Sequence, residues 1–237
     1  MFFSLPIRQF IRTVALCGVL TAPGLWAQEQ SVKPGINENF KSPDLKPEEW
    51  AGRFETESRE VFAHRLEIVK ATGVKAGATV ADVGAGTGLF TMLFAKAVGE
   101  AGKVLAVDIA APFLAKIRER AKSGKHLNVE TILGTEKDSK LPTNSVDLVF
   151  ICDTYHHFEF PQDTLASLHR ALKPGGLLVV VEFERIPGKS SDWTLNHVRA
   201  GKEVFMKEIE AAGFELLSDG GTSFLKENYL VRFKRKE

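Results

Sequence analysis

Apolar residues in this chain fall into short continuous runs that alternate with longer segments of mixed polarity. The runs predicted as strands are Thr79–Val83, Val104–Asp108, Val129–Leu133, Val146–Cys152 and Leu177–Glu182. The helix-like segments among them are Leu89–Val98, Ala111–Ala121 and Gln162–Leu172. Strands that are apolar at almost every position are typical of a parallel sheet covered by helices on both faces.

The segments at either end of this alternation extend the same prediction. A helix is expected over Glu57–Thr72, and another over Lys202–Ala212. Phe214–Leu217 and Tyr229–Lys234 then form a final pair of strands, whose order indicates an antiparallel edge. We therefore predict an α/β fold with a Rossmann-like, doubly wound, mostly parallel seven-stranded sheet that carries an antiparallel edge strand.

The N-terminal region does not follow this pattern. Arg8 and Arg12 precede the apolar run Thr13–Trp26, which ends at Ala27 before polar residues. This order is typical of a bacterial export signal, and the run is shorter than the roughly 18–20 residues that span a bilayer. We predict a signal peptide at 1–27, a linker or N-terminal arm at 28–49 and the main folded domain at 50–237. An uncleaved membrane anchor and a buried amphipathic helix are the alternatives.

Export would place the protein in the periplasm, with no stable membrane span after signal cleavage. The composition changes the picture little: 237 residues with 44% hydrophobic and 26% charged residues suit one domain. A net charge of +1 gives no basic surface for nucleic acid, so a small-molecule partner is expected, and the oligomeric state is left open. Of the two cysteines, Cys17 lies in the signal, and Cys152 is interpreted as a buried apolar residue.

A glycine-rich loop follows the first strand and leads directly into a helix. It runs from Asp82 to Gly88 with the sequence Asp-Val-Gly-Ala-Gly-Thr-Gly. Ligands bind outside the carboxyl ends of parallel strands, and glycines let the backbone approach them closely. The dinucleotide fingerprint requires a sixth-position glycine, and Leu89 stands there, which disfavours a dehydrogenase. A tight turn without a ligand is the structural alternative.

An acidic residue ends the second strand. Asp108 stands about 20 residues beyond the glycines, the spacing at which a carboxylate accepts hydrogen bonds from ribose hydroxyls. The alternative is that Asp108 caps the helix that begins at Ala111.

Four segments together resemble one enzyme family. Val80–Gly88, Val107–Ile109, Leu141–Val149 and Leu172–Leu177 resemble class I S-adenosylmethionine (SAM)-dependent methyltransferases, in the broad type 11/25 group that includes ubiquinone and menaquinone C-methyltransferases. The resemblance covers about residues 57–234 and implies SAM as cofactor. It also implies cofactor-binding roles for Asp82, Gly84, Ala85, Gly86, Gly88, Asp108 and Ile109. Among these, Asp82 would reach the amino group, Asp108 the ribose and Ile109 the adenine.

The chain departs from that family after the third strand. Many relatives carry Gly-Asp there, and the carboxylate takes the adenine amino group, whereas this chain has Gly134-Thr135-Glu136. Thr135 and Glu136 are the candidates for that contact.

The segment after the fourth strand supplies the candidate catalytic residues. In the resembling enzymes this position faces the methyl group, and here it contains Asp153, His156 and His157. Either histidine could act as a base near neutral pH, or have only a structural role. Because adjacent side chains point in different directions, one histidine at most is expected to face the pocket. No metal site is predicted, since Asp153, His156, His157 and Glu182 lack a recognised ligand spacing.

Two further groups complete the predicted site. Trp193, His197 and Arg199 are candidates for shaping the acceptor site, and Trp50, Arg53, Phe54 and Arg59 for an N-terminal lid. The preferred hypothesis is a SAM-dependent methyltransferase that acts on a small-molecule or lipid-like acceptor. An NAD-dependent oxidoreductase and a non-catalytic protein that binds SAM or a nucleoside are the alternatives.

Overall fold

The structure is a computed structural model that describes residues 1, 28–219 and 223–237. The predicted export signal, residues 1–27, lies outside the described residues except for Met1. Among the helices of the described ranges, none has the length and apolar character needed to cross a membrane.

One seven-stranded sheet forms the centre of the molecule. Its strands are β1 (Thr79–Val83), β2 (Lys103–Asp108), β3 (Val129–Leu133), β4 (Val146–Cys152), β5 (Leu172–Phe183), β6 (Phe214–Asp219) and β7 (Asn228–Arg235). They lie in the order β3-β2-β1-β4-β5-β7-β6. Neighbouring strands from β3 to β5 are parallel, whereas β7 runs antiparallel to both β5 and β6. The predicted fold is confirmed; the antiparallel strand lies one position inside the edge.

Helices cover the sheet and extend before it. They are α1 (Glu38–Lys41), α2 (Pro47–Phe54), α3 (Glu60–Ala63), α4 (Arg65–Ala71), α5 (Leu89–Val98), α6 (Ala111–Ser123), α7 (Pro161–Ala171), α8 (Asp192–His197) and α9 (Lys202–Ala211). The single helix predicted over Glu57–Thr72 is divided at His64, where φ is −102° and ψ is 22°. β5 begins at Leu172 rather than Leu177, because its first residue still pairs with Val146 beyond an irregularity in the register.

Both faces of the sheet are buried, which explains why the strands are apolar at consecutive positions. On one face Phe150 of β4 packs against Phe90 and Phe94 of α5, with ring centroids 4.8 and 5.0 Å apart. On the other face Ile151 belongs to the cluster that contains Leu165 of α7. Alternating side chains of one strand therefore enter opposite cores.

The strand order places a switch point between β1 and β4. The chain leaves β1 toward β2 on one side and later returns to β4 on the other. The loops after β1 and β4 diverge here and leave a crevice at the carboxyl edge of the sheet.

Candidate functional site

A cavity of about 720 Å³ lies at this crevice. Its volume is within the roughly 300–1,000 Å³ of small-molecule sites. Of the twelve predicted site residues, eleven line it: Asp82, Gly84, Ala85, Gly86, Asp108, Ile109, Thr135, Glu136, Asp153, His156 and His157. Gly88 is absent from the lining. The structure thus gathers the ends of four strands around one cavity.

The glycine loop requires glycine at two positions for different reasons. Gly84 has φ +72°, and a Cβ there would lie 2.1 Å from Thr154 Cγ2. Gly88 is the N-cap of α5 with φ +84°, and a Cβ there would lie 2.7 Å from Ile117 Cγ1. Gly84 therefore lets the loops after β1 and β4 meet, and Gly88 lets α5 approach α6.

Asp108 connects the glycine loop to the next loop. It is buried, and its Oδ2 accepts a hydrogen bond from the Gly86 amide at 2.8 Å. Its Oδ1 accepts another from the Ala110 amide at 2.8 Å. The N-cap of α6 is Ala110, so Asp108 is not the helix cap but the residue that fixes the two loops relative to each other.

Burial raises the pKa of both carboxyls at this end of the cavity. Asp82 accepts a hydrogen bond from Thr91 Oγ1 at 2.6 Å and is otherwise removed from solvent, so desolvation raises its pKa to about 7. Desolvation likewise raises the pKa of Asp108 to about 6, opposed by its backbone hydrogen bonds. A ligand that supplies a cationic group or hydroxyl donors would stabilise the ionised form of both carboxyls.

Thr135 and Glu136, the residues expected near the adenine, already have hydrogen-bond or ion-pair partners within the protein. Thr135 Oγ1 accepts hydrogen bonds from the amides of Lys137 and Asp138 at 3.3 and 3.0 Å. Glu136 forms an ion pair with Lys41. The departure from the family pattern therefore places a closed turn and an ion pair at this wall.

Residues that precede β1 in the chain form one wall of the cavity. Residues 28–54, here called the lid segment, carry Phe40, Trp50 and Phe54, which pack in a cluster with Ala110 and Phe113 at the start of α6. Phe40 lies 4.8 Å from Trp50, and Trp50 lies 5.3 Å from Phe54, between ring centroids. All four residues predicted for a lid, Trp50, Arg53, Phe54 and Arg59, line the cavity.

Asp153 lies where β4 ends and has a left-handed backbone with φ +47°. It forms an ion pair with Arg59 and accepts a hydrogen bond from Asn228 Nδ2 at 2.7 Å. Asp153 thus joins three separate segments at the cavity wall. Its carboxylate is better placed to hold Arg59 than to remove a proton.

The structure brings both adjacent histidines to the cavity, contrary to the expectation that one at most would face it. Tyr155–His157 form a single 3₁₀ turn, and the imidazole centroids of His156 and His157 lie 4.3 Å apart. Desolvation lowers the pKa of His156 to about 3 and also lowers that of His157. Both imidazoles are therefore neutral at pH 7, each with one ring proton, and are poorly suited to accept a second proton there.

Sequence reasoning gave three neighbours of these histidines weaker roles or none. His197 lies with its Nε2 3.3 Å from His157 Nε2, Glu182 Oε2 is 2.8 Å from His156 Nδ1, and Asn37 contacts His157. Arg199 and Tyr155 are absent from the lining; both interact with Glu208 instead. No local signal marks Asn37, which lies 120 residues from His157 in the chain.

Comparisons with known proteins agree with this geometry. Residues 81–180 match the family described as a methyltransferase domain. The ubiquinone/menaquinone biosynthesis C-methyltransferase of Escherichia fergusonii is 36% identical over 126 residues, which are 52% of this chain and 50% of that protein. The chain thus spans about half the length of the curated relatives it matches.

Solved structures extend the likeness in fold over most of the chain. A SAM-dependent methyltransferase from Aquifex aeolicus superposes with a TM-score of 0.71 and 26% identity, over 80% of this chain and 98% of that one. Phosphoethanolamine N-methyltransferase 2 of Haemonchus contortus, solved with SAM, shares the fold with a TM-score of 0.65 and 18% identity, over 85% of this chain and 60% of that one. Residues 81–180 therefore match a methyltransferase domain, and the chain has the fold of SAM-dependent methyltransferases.

Proposed function

We propose that this protein transfers a methyl group from SAM to a small, largely apolar acceptor. The observation that carries the proposal is the shared cavity: buried carboxylates at the ends of β1 and β2 face one part of it, and histidines after β4 face another. Relatives that match this chain over half of their length are named for ubiquinone and menaquinone C-methylation, and they support an aromatic or lipid-like acceptor.

The residues present suit SAM. Asp108 would accept from the ribose hydroxyls and Asp82 would lie near the amino group, while the aromatic residues of the lid segment would cover the ligand. When bound, SAM would supply a sulfonium-bound methyl group to the acceptor's lone pair, with the neutral thioether as the leaving group. The protein's part is to hold the two reactants in line and to exclude water.

The acceptor side of the cavity is mostly aromatic. Phe40 and Phe183 lie beside His157 and His156, with ring centroids 5.3 and 5.8 Å apart respectively. Trp193 lines the cavity yet is 55% exposed, so it lies at the rim. A flat, apolar acceptor that carries a polar reacting atom fits such walls.

Titration calorimetry followed by a product assay tests this function. The protein should bind SAM and its demethylated product saturably, and NAD not at all. It should then transfer tritium from methyl-labelled SAM to at least one compound in a panel of quinols, catechols and thiols. Binding of NAD would favour the oxidoreductase, and SAM binding without any transfer would favour a non-catalytic binding protein.

The affinity for SAM is expected to depend on pH through Asp82 and Asp108. Their pKa values of about 7 and about 6 lie above the ordinary 3.8, so both carboxyls protonate as the pH falls below 7. If both must be ionised to bind, affinity falls by up to about tenfold per pH unit for each group below its pKa. Calorimetry at about pH 6.5 in two buffers of different ionisation enthalpy should show protons released on binding.

The raised pKa values of Asp82 and Asp108 also make the stability of the ligand-free protein depend on pH. Because the pKa values are raised in the folded state, the ligand-free fold binds more protons than the unfolded chain between about pH 4 and 7. These two groups therefore lower its stability as the pH rises through that window. Asp108→Asn should remove the part of the pH dependence near pH 6; an unchanged profile would contradict the assignment.

A further inference from the structure

Three histidines meet at the acceptor side of the cavity. His156, His157 and His197 each offer a ring nitrogen, and these nitrogens all lie within 4.8 Å of one another. Two come from the turn after β4, and the third ends α8. All three line the cavity.

His156 has a ring nitrogen that no described residue satisfies. Its Nδ1 lies 2.8 Å from Glu182 Oε2, and since a carboxylate accepts, Nδ1 carries the proton and donates. The buried Nε2 is then a lone pair without a hydrogen-bond partner in the described part of the chain. Most buried polar atoms in folded proteins have a hydrogen-bond partner, so this lone pair is available to a ligand in the cavity.

The hydrogen bonds of His157 fix its tautomer in the same way. Asn37 donates through Nδ2 to the His157 carbonyl at 2.9 Å, which identifies Oδ1 as the acceptor that faces His157 Nδ1 at 3.2 Å. His157 Nδ1 therefore carries the proton. Its Nε2 presents a lone pair toward His197.

The third ring is held by stacking and by its backbone. Trp193 stacks on His197, with centroids 4.6 Å apart and planes 22° apart. Lys33 of the lid segment donates to the His197 carbonyl at 2.6 Å. His156 and His157 are thus oriented through their Nδ1 atoms, as metal-binding histidines usually are, whereas His197 is held by stacking and by its backbone.

The spacing of two of the three nitrogens matches a tetrahedral centre. The Nε2 atoms of His157 and His197 are 3.3 Å apart. Two nitrogens bound at about 2.0–2.1 Å in tetrahedral geometry lie roughly 3.3–3.4 Å apart. The remaining nitrogen needs a shift of about an ångström or more to complete the set.

We propose that His156, His157 and His197 bind a divalent transition-metal ion, with Zn²⁺ the favoured ion, and leave a fourth position open to the cavity. Three neutral imidazoles are the ligand set of catalytic zinc sites with an open position. This proposal replaces the expectation, drawn from the sequence, of no metal; His197 is the ligand that sequence spacing could not supply.

The metal's role rests on the proposed methyl transfer, whereas its binding does not. An acceptor hydroxyl or thiol held at the open position would release its proton to water more readily. Its oxygen or sulfur lone pair would then form the bond to the methyl group as the sulfonium C–S bond breaks. The thioether product leaves neutral, and the metal is unchanged. The proposal thus points to acceptors that ligate through oxygen or sulfur.

Metal binding can be measured without any methyl acceptor. The full chain, stripped with a chelator, should bind one equivalent of Zn²⁺ by calorimetry and elemental analysis, and should not bind Mg²⁺. With Co²⁺ it should give the intense visible absorption of a tetrahedral site. His197→Ala and His157→Ala should weaken Zn²⁺ binding by more than about 100-fold, and Glu182→Gln by roughly 10- to 100-fold. His126→Ala, outside the cavity, is the matched control.

Retained SAM binding and an unchanged melting temperature would show that the variants are folded. Absent Zn²⁺ binding by the folded protein, or binding that survives both histidine changes, overturns the site. The contact between His157 and His197 is then a simple hydrogen bond. If Zn²⁺ binds but no acceptor is methylated, the metal site stands and the proposed function fails; methylation that is insensitive to the chelator refutes the metal's role alone.

Discussion

Replacing Asp108 with alanine should weaken SAM binding by at least about 100-fold, with little loss of secondary structure. The change removes the proposed acceptor for two ribose hydroxyls, and hydrogen bonds to a charged group contribute about 1.5–3 kcal/mol each. It also leaves the amides of Gly86 and Ala110 without their 2.8 Å partner, which loosens the loop that approaches the ligand. Titration calorimetry with SAM and its demethylated product measures the effect.

Two further variants, one at Asp108 and one on β3, test whether the loss of affinity depends on the charge of Asp108. Asp108→Asn keeps one acceptor oxygen in a side chain of equal size, so its loss of affinity should be intermediate. Glu130→Gln removes an exposed carboxylate from β3, where it pairs with Lys103 outside the cavity, and should leave affinity unchanged. Equal binding by Asp108→Ala and the unaltered protein would refute the assigned role.

Gly84→Ala is the second change with a large expected effect, because it acts on stability and on the cavity together. The new methyl group would lie 2.1 Å from Thr154 Cγ2, at a residue whose φ is +72°. Overpacking costs about 1–3 kcal/mol, and a left-handed backbone roughly 1–2 kcal/mol more for a residue with a side chain. The loops after β1 and β4 must separate, so we expect a lower melting temperature and loss of measurable SAM binding.

Gly77→Ala provides the matched control for backbone conformation. Gly77 has φ +78°, yet a Cβ there would have no atom within 4 Å. This variant should show only the backbone cost and should bind SAM normally. Adding Thr154→Gly to Gly84→Ala removes the atoms that clash and should restore part of the lost affinity. If the two alanine variants behave alike, the contact with Thr154 is not what requires glycine.

Local sequence patterns were enough to predict the sheet and the meeting of Asp82, the glycine loop and Asp108 at one cavity. β1, β3 and β4 have the predicted bounds, and in β1 and β4 burial on both faces makes each a mostly apolar run that ends before a glycine or a polar residue. Asp82, the glycine loop and Asp108 occupy consecutive strand ends, so their proximity follows from a parallel sheet. Such features depend on residues that are close together in the chain, so the sequence alone predicts them.

The acceptor half could not be predicted in the same way. His197 meets His157 across 40 residues, and Asn37 meets it across 120, so neither contact leaves a spacing that a reader of the sequence could recognise. In an extended chain the adjacent side chains of His156 and His157 would point in different directions, but a tight 3₁₀ turn places both at the cavity. Tertiary packing, not local preference, determines this part of the molecule.

The interior position of β7 sets an order in which the protein can be completed. β5 and β6 precede β7 in the chain but touch each other only through it. During synthesis the parallel strands β1 to β5 can assemble early, while the mostly apolar edge of β5 over Leu177–Phe183 stays unpaired until Asn228–Arg235 arrive. An exposed edge of that kind recruits other chains. Premature termination before Asn228 should therefore yield aggregates rather than a smaller domain.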